Sequence, residues 1–440
     1  MKRLTPFLFT VLFAVLGPAA AATETAGVEG RALFLVVLQP LERGQEPFDV
    51  TRHGGTLEAQ HGARLAVMLP ESAVEGVRRN PRVRYVQRAV LGHPARTASP
   101  PRTSPGVASH ALRPLTPVTD SCTACTIGPY SYDGSGNITA TGTANTFRYD
   151  GVGRLRLADV YDGSTTRKET YTYDIYGNLT SLVNDGVTID LPVDAGTNRL
   201  SSTLGAVYDG TGNLTQSVGA TYAYNQGGTL KSLNNYEYYI YTADDERIAT
   251  FDSFEEQYTW TLRDPHAAVV RTFESFGFDG LAYFLWTQDH FSGGGTPIAA
   301  QREDAEGGLR HFHLDHLGTP RVVTNSSGQQ ISAHTYLPFG VEATSVLQER
   351  ARGYTHEETV RFTGHERDGL QASDDNHARY LDYMHARHYN ANRGRFLSVD
   401  PTWDSADLTK PQTWNRYSYV LNNPINFTDP DGKKWSDIFR

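Results

Sequence analysis

A short tyrosine–aspartate pattern recurs along the middle of the chain and decides its fold. Six copies, four close and two weaker, read YDGSGNI (132–138), YDGVGRL (149–155), YDIYGNL (173–179), YDGTGNL (208–214), YNQGGTL (224–230) and YTADDERI (241–248). Each copy reads as a strand end, a tight turn and a new strand, because Asp bonds the turn backbone and Gly accepts a positive φ. Units this short cannot bury a face alone. We therefore expect them to stack into one continuous antiparallel sheet.

The composition agrees with a β-rich protein and excludes several other classes. The 440 residues include 41 Gly and 24 Tyr but only 3 Met, a usage that favours short strands and tight turns over helix bundles. The formal net charge of −9 argues against a nucleic-acid partner, because phosphate recognition requires a basic face. No P-loop, GxSxG or EF-hand pattern is present, so we expect no cofactor.

The C-terminal third carries four longer motifs. They are FHLDHLGTPRVVTNSSG from Phe312, RFTGHERDGL from Arg361, LDYMHARHYNANRGRFLSVDP from Leu381 and PQTWNRYSYVLNNPINFTDPDG from Pro411. Together with the YD copies, these motifs resemble the Rhs/YD-repeat proteins, which include teneurins and toxin-complex shells, and their Rhs-repeat-associated core. The resemblance spans residues 130–432. It implies YD repeats over 130–345, which form a β-ribbon shell, and a core over 346–432 that plugs it. A repeat region of this length is too short for a sealed shell, so we expect a partial or open one.

The same resemblance implies a candidate site for self-cleavage. In Rhs-type cores two Asp-Pro motifs form an aspartic-protease-like pair that cuts the chain just after the second motif. Here the pair corresponds to Asp400 and Asp429, with Arg387 as the neighbouring arginine. The chemistry needs two carboxylates close enough to share a proton.

Two positions depart from the family pattern around this pair. Trp403 stands where a Gly is common, and Lys433 stands where many members have a Leu. The alternative is that both Asp-Pro pairs only form turns, since Asp followed by Pro is ordinary turn chemistry.

A second candidate cluster, HFHLDH, has the spacing of binuclear zinc hydrolases. Its possible ligands are His311, His313, Asp315 and His316, and alternation along a strand would put the first three on one face. Such a site needs further ligands in an alternating αβ architecture, and the flanking YD copies predict only strands. HLDHLGTPR is also the usual wording of the Rhs core. We therefore expect no metal there.

The N-terminus predicts export. Lys2 and Arg3 precede an apolar run that Gly17-Pro18 ends, and small residues continue from there up to Ala22. This order is typical of a secretory signal peptide, here residues 1–22. We expect a secreted, periplasmic or cell-surface protein without a transmembrane segment in the mature chain.

Residues 29–91 predict a small α+β domain of ferredoxin-like βαββαβ order. Strands are expected at 32–38, 56–60, 64–69 and 83–86, with helices at 47–52 and from Pro70. The stretch GGTLEAQHGARLAVMLPESAVEGVRRNPRVRYVQ from Gly54 resembles the subtilisin-propeptide-like inhibitor family. The resemblance implies a module that binds a subtilase-type protease. A plain packing domain is the alternative.

Residues 92–129 predict a linker, because they are rich in Pro, Ser and Thr and lack periodicity. Cys122 and Cys125 lie in this stretch, and the sequence leaves open whether they pair.

The leading interpretation is a non-catalytic shell protein for toxin delivery, contact-dependent competition or adhesion. Its expected partners are other shell or secretion-system proteins, a separately encoded effector or a protease. The tail 433–440 is too short to carry a toxin domain. The alternatives are a self-cleaving core and a protease-inhibitory N-terminal module.

Overall fold

The computed structural model describes eleven stretches of the chain. These are residues 31–38, 47–61, 64–88, 90–91, 128–278, 281–293, 296–302, 308–343, 358–368, 381–403 and 405–437. They belong to two compact units, Met1–Arg88 and Ala89–Arg440. The predicted signal peptide and nearly all of the predicted linker, with Cys122 and Cys125, lie outside these stretches. Among the helices within them, none has the length and apolar character needed to cross a bilayer.

The first unit is a four-stranded antiparallel sheet. Its strands are β1 (Arg31–Leu38), β2 (Thr56–His61), β3 (Arg64–Pro70) and β4 (Val83–Arg88). They lie in the order β2-β3-β1-β4, with every pairing antiparallel, which is the ferredoxin-like arrangement that the sequence predicts.

The helices of the first unit are shorter than predicted. The expected helix at 47–52 is one 3₁₀ turn, Val50–His53, capped by the Asp49 side chain and ended by Gly54 at φ +71°. The second is a 3₁₀ turn, Glu71–Ala73, that continues into α1 (Val74–Arg78). Val50 and Val77 are buried and belong to the apolar core of the sheet.

The second unit begins with a seven-stranded sheet built from the first YD copies. The first strands of the second unit are β5 (Val90–Leu91), β6 (Tyr130–Tyr132), β7 (Ile138–Thr141), β8 (Asn145–Tyr149), β9 (Leu155–Tyr161), β10 (Thr166–Tyr173), β11 (Leu179–Asn184) and β12 (Val187–Asp190). Strands β6 to β12 pair in sequence order, whereas β5 joins the larger sheet of the unit. Ile138, Leu155 and Tyr171 are almost fully buried in the core beneath the seven-stranded sheet.

The larger sheet is also open. After the hairpin of β13 (Val193–Asp194) and β14 (Arg199–Leu200) come β15 (Val207–Tyr208), β16 (Leu214–Ser217), β17 (Ala220–Tyr224), β18 (Leu230–Leu233), β19 (Glu237–Tyr241), β20 (Arg247–Asp252), β21 (Gln257–Arg263), β22 (Val269–Phe278), β23 (Leu281–Gly293), β24 (Thr296–Arg302), β25 (Leu309–Leu314), β26 (Pro320–Asn325) and β27 (Gln330–Ala333). Strands β15 to β27 pair in sequence order, and β5 pairs with β23. A one-turn 3₁₀ helix, Ser202–Leu204, precedes β15.

Seven of the turns between these strands share one construction, which explains the recurring Asp. In the first copy the Asp133 carboxylate accepts the backbone N–H groups of Ser135 and Asn137, each at 2.9 Å. Asp150, Asp174 and Asp209 bond the second and fourth residues after them in the same way. Asp264, Asp315 and Asn325 repeat the arrangement outside the copies that the sequence reveals.

In three of the copies the recurring Tyr ties the new turn to the preceding one. The Tyr149 hydroxyl donates to the carbonyl oxygen of Ile138 at 2.7 Å, and Tyr173 donates to Leu155 at the same distance. Tyr224 donates to Leu214 at 3.0 Å. Each acceptor is the first residue after an earlier turn, so the tyrosines fix the stacking of successive units.

The C-terminal segment is built from short strands and single helical turns. The strands are β28 (Glu366–Asp368), β29 (Leu381–Met384), β30 (Arg387–Asn390), β31 (Arg395–Phe396), β32 (Phe427–Thr428) and β33 (Ser436–Asp437). The 3₁₀ turns are Phe362–Gly364, Ala391–Arg393, Pro411–Trp414 and Val420–Asn422. The protein is thus mainly β, with open antiparallel sheets, as the sequence predicts.

Candidate functional site

The C-terminal segment, residues 358–437, is bonded to the turns of the repeat sheets. Asn423 donates to Asn137 at 3.0 Å, and Asn422 donates to the carbonyl oxygen of Gly177 at 2.7 Å. Tyr417 reaches the carbonyl of Gly212, also at 2.7 Å. The Tyr383 hydroxyl accepts the Arg247 N–H at 2.9 Å, and His316 bonds the carbonyl of Ile425 at 2.8 Å. Side chains from one segment therefore hold turns that lie far apart in sequence.

Within this segment the structure brings together Arg387, Asp400 and Asp429. Arg387 begins β30, Asp400 lies shortly after β31 and Asp429 directly follows β32. Their side chains are only 3%, 5% and 4% exposed. The three residues that the family resemblance implies as a site are therefore neighbours in a buried environment.

The Arg387 guanidinium joins the two aspartates. Its Nη2 lies 3.1 Å from Asp429 Oδ2 and 3.4 Å from Asp400 Oδ2, so both carboxyl groups contact one nitrogen. Its Nη1 donates to the Arg416 carbonyl at 3.2 Å, and Nε donates to the carbonyl oxygen of Gly432. The guanidinium carbon lies 3.5 Å from the ring centroid of Phe396, so one face of the group packs on an aromatic ring.

Asp400 is surrounded by donors. The Thr402 N–H donates to Oδ1 at 2.9 Å, and the Ser405 hydroxyl donates to Oδ2 at 2.8 Å. Arg416 Nη2 lies 3.3 Å from Oδ1. With Arg387 this makes four residues that donate to one carboxyl group, an arrangement that suits a carboxylate.

Asp429 has fewer hydrogen-bond donors around it, and its pKa is raised. Burial raises its pKa to about 6, with Arg387 acting in the opposite direction and Asp431 and Asp400 adding to the rise. Its Oδ1 accepts the Lys434 N–H at 3.0 Å. Up to about pH 6 this carboxyl group can hold a proton, whereas Asp400 sits among hydrogen-bond donors. That difference is what acid–base work by two carboxyl groups requires.

The chain after Asp429 returns to the same site. Gly432 is buried with φ +67°, and a Cβ there would lie 2.1 Å from the carbonyl oxygen of Met384. Only Gly fits this close approach. Its carbonyl oxygen accepts from Arg387, and the Lys434 N–H donates to Asp429. The peptide bonds on both sides of Lys433 therefore lie beside Asp400 and Asp429, which together are called the dyad.

Sequence reasoning missed the second arginine. Arg416 contacts Asp400 and donates to the Ser405 hydroxyl at 2.9 Å. It belongs to the NRYSYV stretch of the quoted motif, so the resemblance contained a signal for it. Trp403, the departure from the family pattern, is 79% exposed and lies over the Arg416 guanidinium at 4.9 Å. The large side chain therefore stays outside the dyad.

A cleft of about 780 Å³ opens beside the dyad. Its walls include Asp400, Thr402, His385 and Lys433, together with the repeat turns at 209–215, 224–229 and 244–246. Asp400 and Lys433 also line the smaller cavity that contains Arg387 and Asp429. Asp400 and Lys433 thus lie at the boundary between the cleft and the smaller cavity.

The HFHLDH residues are used in turns and local contacts. His311 and His313 are exposed on β25, and His313 bonds Thr324 at 3.0 Å. A register shift at Leu314 breaks the alternation, and Asp315 instead accepts the N–H groups of its own turn. His316 bonds the Ile425 carbonyl. In the described part of the chain, no group of three or more His, Cys, Asp or Glu residues has a geometry that could hold a metal ion.

Comparison with known proteins places the chain among relatives of bacterial toxins. It is 26% identical over 320 residues to the toxin subunit YenC2 of Yersinia entomophaga, which covers 62% of this chain and 30% of that protein. It is 28% identical over 350 residues to the toxin protein Tse5 of Pseudomonas aeruginosa, covering 69% of this chain and 25% of that protein. The chain thus spans about a third or less of these relatives. No protein-family model matches it.

A solved structure supports the fold. The crystal structure of TcdB2-TccC3 matches 69% of this chain with a TM-score of 0.52 at 22% identity, over 17% of the matched chain. The relatives are a toxin subunit and a toxin protein, which supports the broad relationship to toxin-complex proteins inferred from the sequence. The YD-repeat assignment in detail and the inhibitor-like resemblance of residues 29–91 stay predictions.

Proposed function

We propose that the chain is part of a secreted β-shell of the Rhs/YD type and acts as a scaffold in toxin delivery. The observation that carries this proposal is the set of bonds from the C-terminal segment to successive repeat turns. Asn422 on Gly177 and Tyr417 on Gly212 tie one segment to two different sheets. Such a segment holds a ribbon of strands in place, as a plug would. The toxin homologues support the same role.

The scaffold role is tested by assembly. The mature chain is co-expressed with each secreted protein encoded beside its gene, and the purified product is weighed by mass photometry. A defined complex with a toxin or shell protein is expected. Asn422→Gly, which removes one bond between the C-terminal segment and a repeat turn, is expected to lower the yield of this complex. A chain that stays alone with every neighbour, and whose deletion leaves competition between bacterial strains unchanged, contradicts the proposal.

A second function, self-cleavage of the chain after the DPDG motif, is favoured by the geometry around Arg387. Asp400 takes a proton from a water molecule, and the water oxygen attacks a carbonyl carbon at Gly432 or Lys433. The C–N bond then breaks as Asp429 gives its proton to the leaving nitrogen. Arg387 stabilises the charge that develops on a carbonyl oxygen, because its Nε already donates to Gly432. One water is consumed, and a carboxyl and an amine terminus are formed.

Intact mass measurement tests cleavage. The mature chain is produced with a small reporter domain attached after Arg440, so that a cut is visible on a gel and in the mass spectrum. A product ending at Gly432 or Lys433, absent in Asp429→Asn and in Asp400→Asn, is the expected result. The Asp407→Asn chain is the control, because the Asp407 side chain bonds its neighbours Thr409 and Lys410 in a local turn. Full-length protein alone, after long incubation between pH 4 and 8, rules this function out.

A further inference from the structure

Asp431 lies in the chain between Asp429 and the two peptide bonds that are candidates for cleavage. Its side chain is exposed, yet Oδ1 accepts two backbone N–H groups, from Lys433 at 3.0 Å and from Lys434 at 3.3 Å. These two nitrogens are the leaving groups of the two candidate bonds, Gly432–Lys433 and Lys433–Lys434. One carboxylate therefore holds both possible leaving nitrogens.

The backbone of Asp431 is anchored as well. Its carbonyl oxygen accepts the Ala386 N–H at 3.2 Å, from the turn between β29 and β30. That turn leads directly into Arg387, whose Nε bonds Gly432. The backbone around Asp431 is thus fixed to the strand pair that carries the arginine, and the Asp431 side chain fixes the next residues of the chain, Lys433 and Lys434.

We propose that Asp431 is a positioning residue for the self-cleavage, holding the segment from Gly432 to Lys434 against the dyad through its two N–H acceptor contacts. The inference rests on the proposed cleavage. It adds Asp431 to the three residues already assigned to the site, Arg387, Asp400 and Asp429. Asp431 orients the bonds to be cleaved through their backbone N–H groups, whereas Asp400 and Asp429 carry out the proton transfers. A displaced peptide bond loses its alignment with both carboxyl groups.

Asp431 has a second influence, through its charge. The groups that face Asp429 are Arg387 from β30, Asp400 from the loop after β31, Tyr419 and Asp431. Burial is the main reason for the raised pKa of Asp429, and the Asp431 charge raises that pKa further. Replacing Asp431 by Asn keeps an oxygen acceptor but removes the charge, whereas Ala removes both. The two variants therefore separate position from charge.

The test measures cleavage of the full chain, with the reporter domain after Arg440, in a cell-free translation pulse and chase between pH 4 and 9. Asp431→Ala is expected to have a maximal rate about 10²-fold lower, because the bonds lose their alignment, and the alkaline fall of its rate should also move to lower pH, because the charge is lost as well. Asp431→Asn is expected to retain most of the maximal rate, with the alkaline fall of the rate moved to lower pH, because Asp429 loses its proton earlier. The control is Asp407→Ala, since Asp407 accepts the Thr409 N–H at 2.8 Å in a similar exposed turn away from the dyad.

The outcomes are distinguishable. Cleavage of Asp431→Ala at the wild-type rate overturns the positioning role, and so does an Asp431→Asn chain that is as slow as Asp431→Ala with an unmoved pH profile. Thermal melting of each variant shows whether a slow chain is still folded, and the Asn variant decides the question if the Ala variant unfolds. If wild type and Asp429→Asn stay equally uncut, the proposed cleavage itself fails and this inference falls with it.

Discussion

The side-chain amide of Asn422 donates to the carbonyl oxygen of Gly177, 2.7 Å away and 245 residues earlier in the chain. Asn422 has a left-handed backbone with φ +60°, which Asn tolerates better than most residues. Its amide satisfies a carbonyl of the third YD turn. Tyr417 bonds the Gly212 carbonyl in the same way, so side chains of the C-terminal segment bind backbone carbonyl groups of the repeat turns.

Replacing Asn422 by Gly should therefore destabilise the second unit. Gly keeps the left-handed backbone but leaves the Gly177 carbonyl without its donor, at a cost of about 1–3 kcal/mol. The free energy of unfolding in urea measures the change. The matched control is Asn235→Gly, because Asn235 is exposed and also left-handed at φ +57°, and its change should stay within about 0.5 kcal/mol. Equal effects of the two substitutions would contradict this account.

Replacing Arg387 by Lys should stop cleavage and weaken the fold. Lys carries three donors on one nitrogen and cannot reach Gly432, Arg416 and both aspartates in the geometry of the planar guanidinium. Loss of charge stabilisation at the carbonyl should slow cleavage by about 10²-fold or more. The gel assay with the reporter domain measures the rate. Arg393→Lys, in the 3₁₀ turn that precedes β31, is the control and should cleave normally.

Glu237 should make the protein less stable as the pH rises. Burial, with Asp368 adding to it, raises the pKa of Glu237 to about 8, well above its value in the unfolded chain. Between about pH 4.5 and 8 the native state thus holds a proton that the unfolded state releases, so stability falls through that window. Glu237→Gln removes this penalty and should stabilise the protein at pH 8 relative to wild type, with little effect at pH 4.

Urea unfolding at pH 4, 6 and 8 measures this difference. Glu256→Gln is the control, because Glu256 is exposed on the turn between β20 and β21. A Glu237→Gln chain whose stability relative to wild type does not change with pH would show that the carboxyl group is ionised in the native state.

The hydrogen bonds from the recurring Tyr hydroxyls to earlier turns should contribute to the stability of the second unit. Tyr173→Phe removes a 2.7 Å bond to the Leu155 carbonyl and should cost about 1 kcal/mol or more, since a buried acceptor is left unpaired. Tyr176→Phe, three residues later and 49% exposed, is the control and should stay within about 0.5 kcal/mol. Thermal melting of both variants measures the difference, and equal melting temperatures would show that these bonds do not stabilise the second unit.

The first unit supports a separate test of protease binding. Its ferredoxin-like strand order agrees with the fold that the inhibitor resemblance implies, and the function stays a prediction. The mature full chain should slow a subtilisin-type protease on a small chromogenic substrate, with little effect on a trypsin-type protease used as the control. Equal rates with and without the chain, at micromolar concentration, would remove this function.

The sequence by itself determined the local construction of this protein. An Asp that bonds the second and fourth N–H groups after it, and a Gly with positive φ, make a turn whatever surrounds them, so the YD copies predicted the hairpins. Turns such as Asp264 use the same bonds with different neighbours, and the pattern alone did not reveal them. Short-range chemistry is readable because its partners lie within four residues.

Only the tertiary structure decided the site. Arg387, Asp400 and Asp429 are separated by 13 and 29 residues, and although the family resemblance implies that they meet, these spacings alone cannot show it. They meet because of how β30, β31 and β32 pack and because Gly432 closely approaches Met384. Neither feature can be read from the spacing of residues in the sequence. The positions of Arg416, Asp431 and the cleft result from the same packing. The raised pKa of Asp429 is a consequence of burial, and burial is a property of the folded chain.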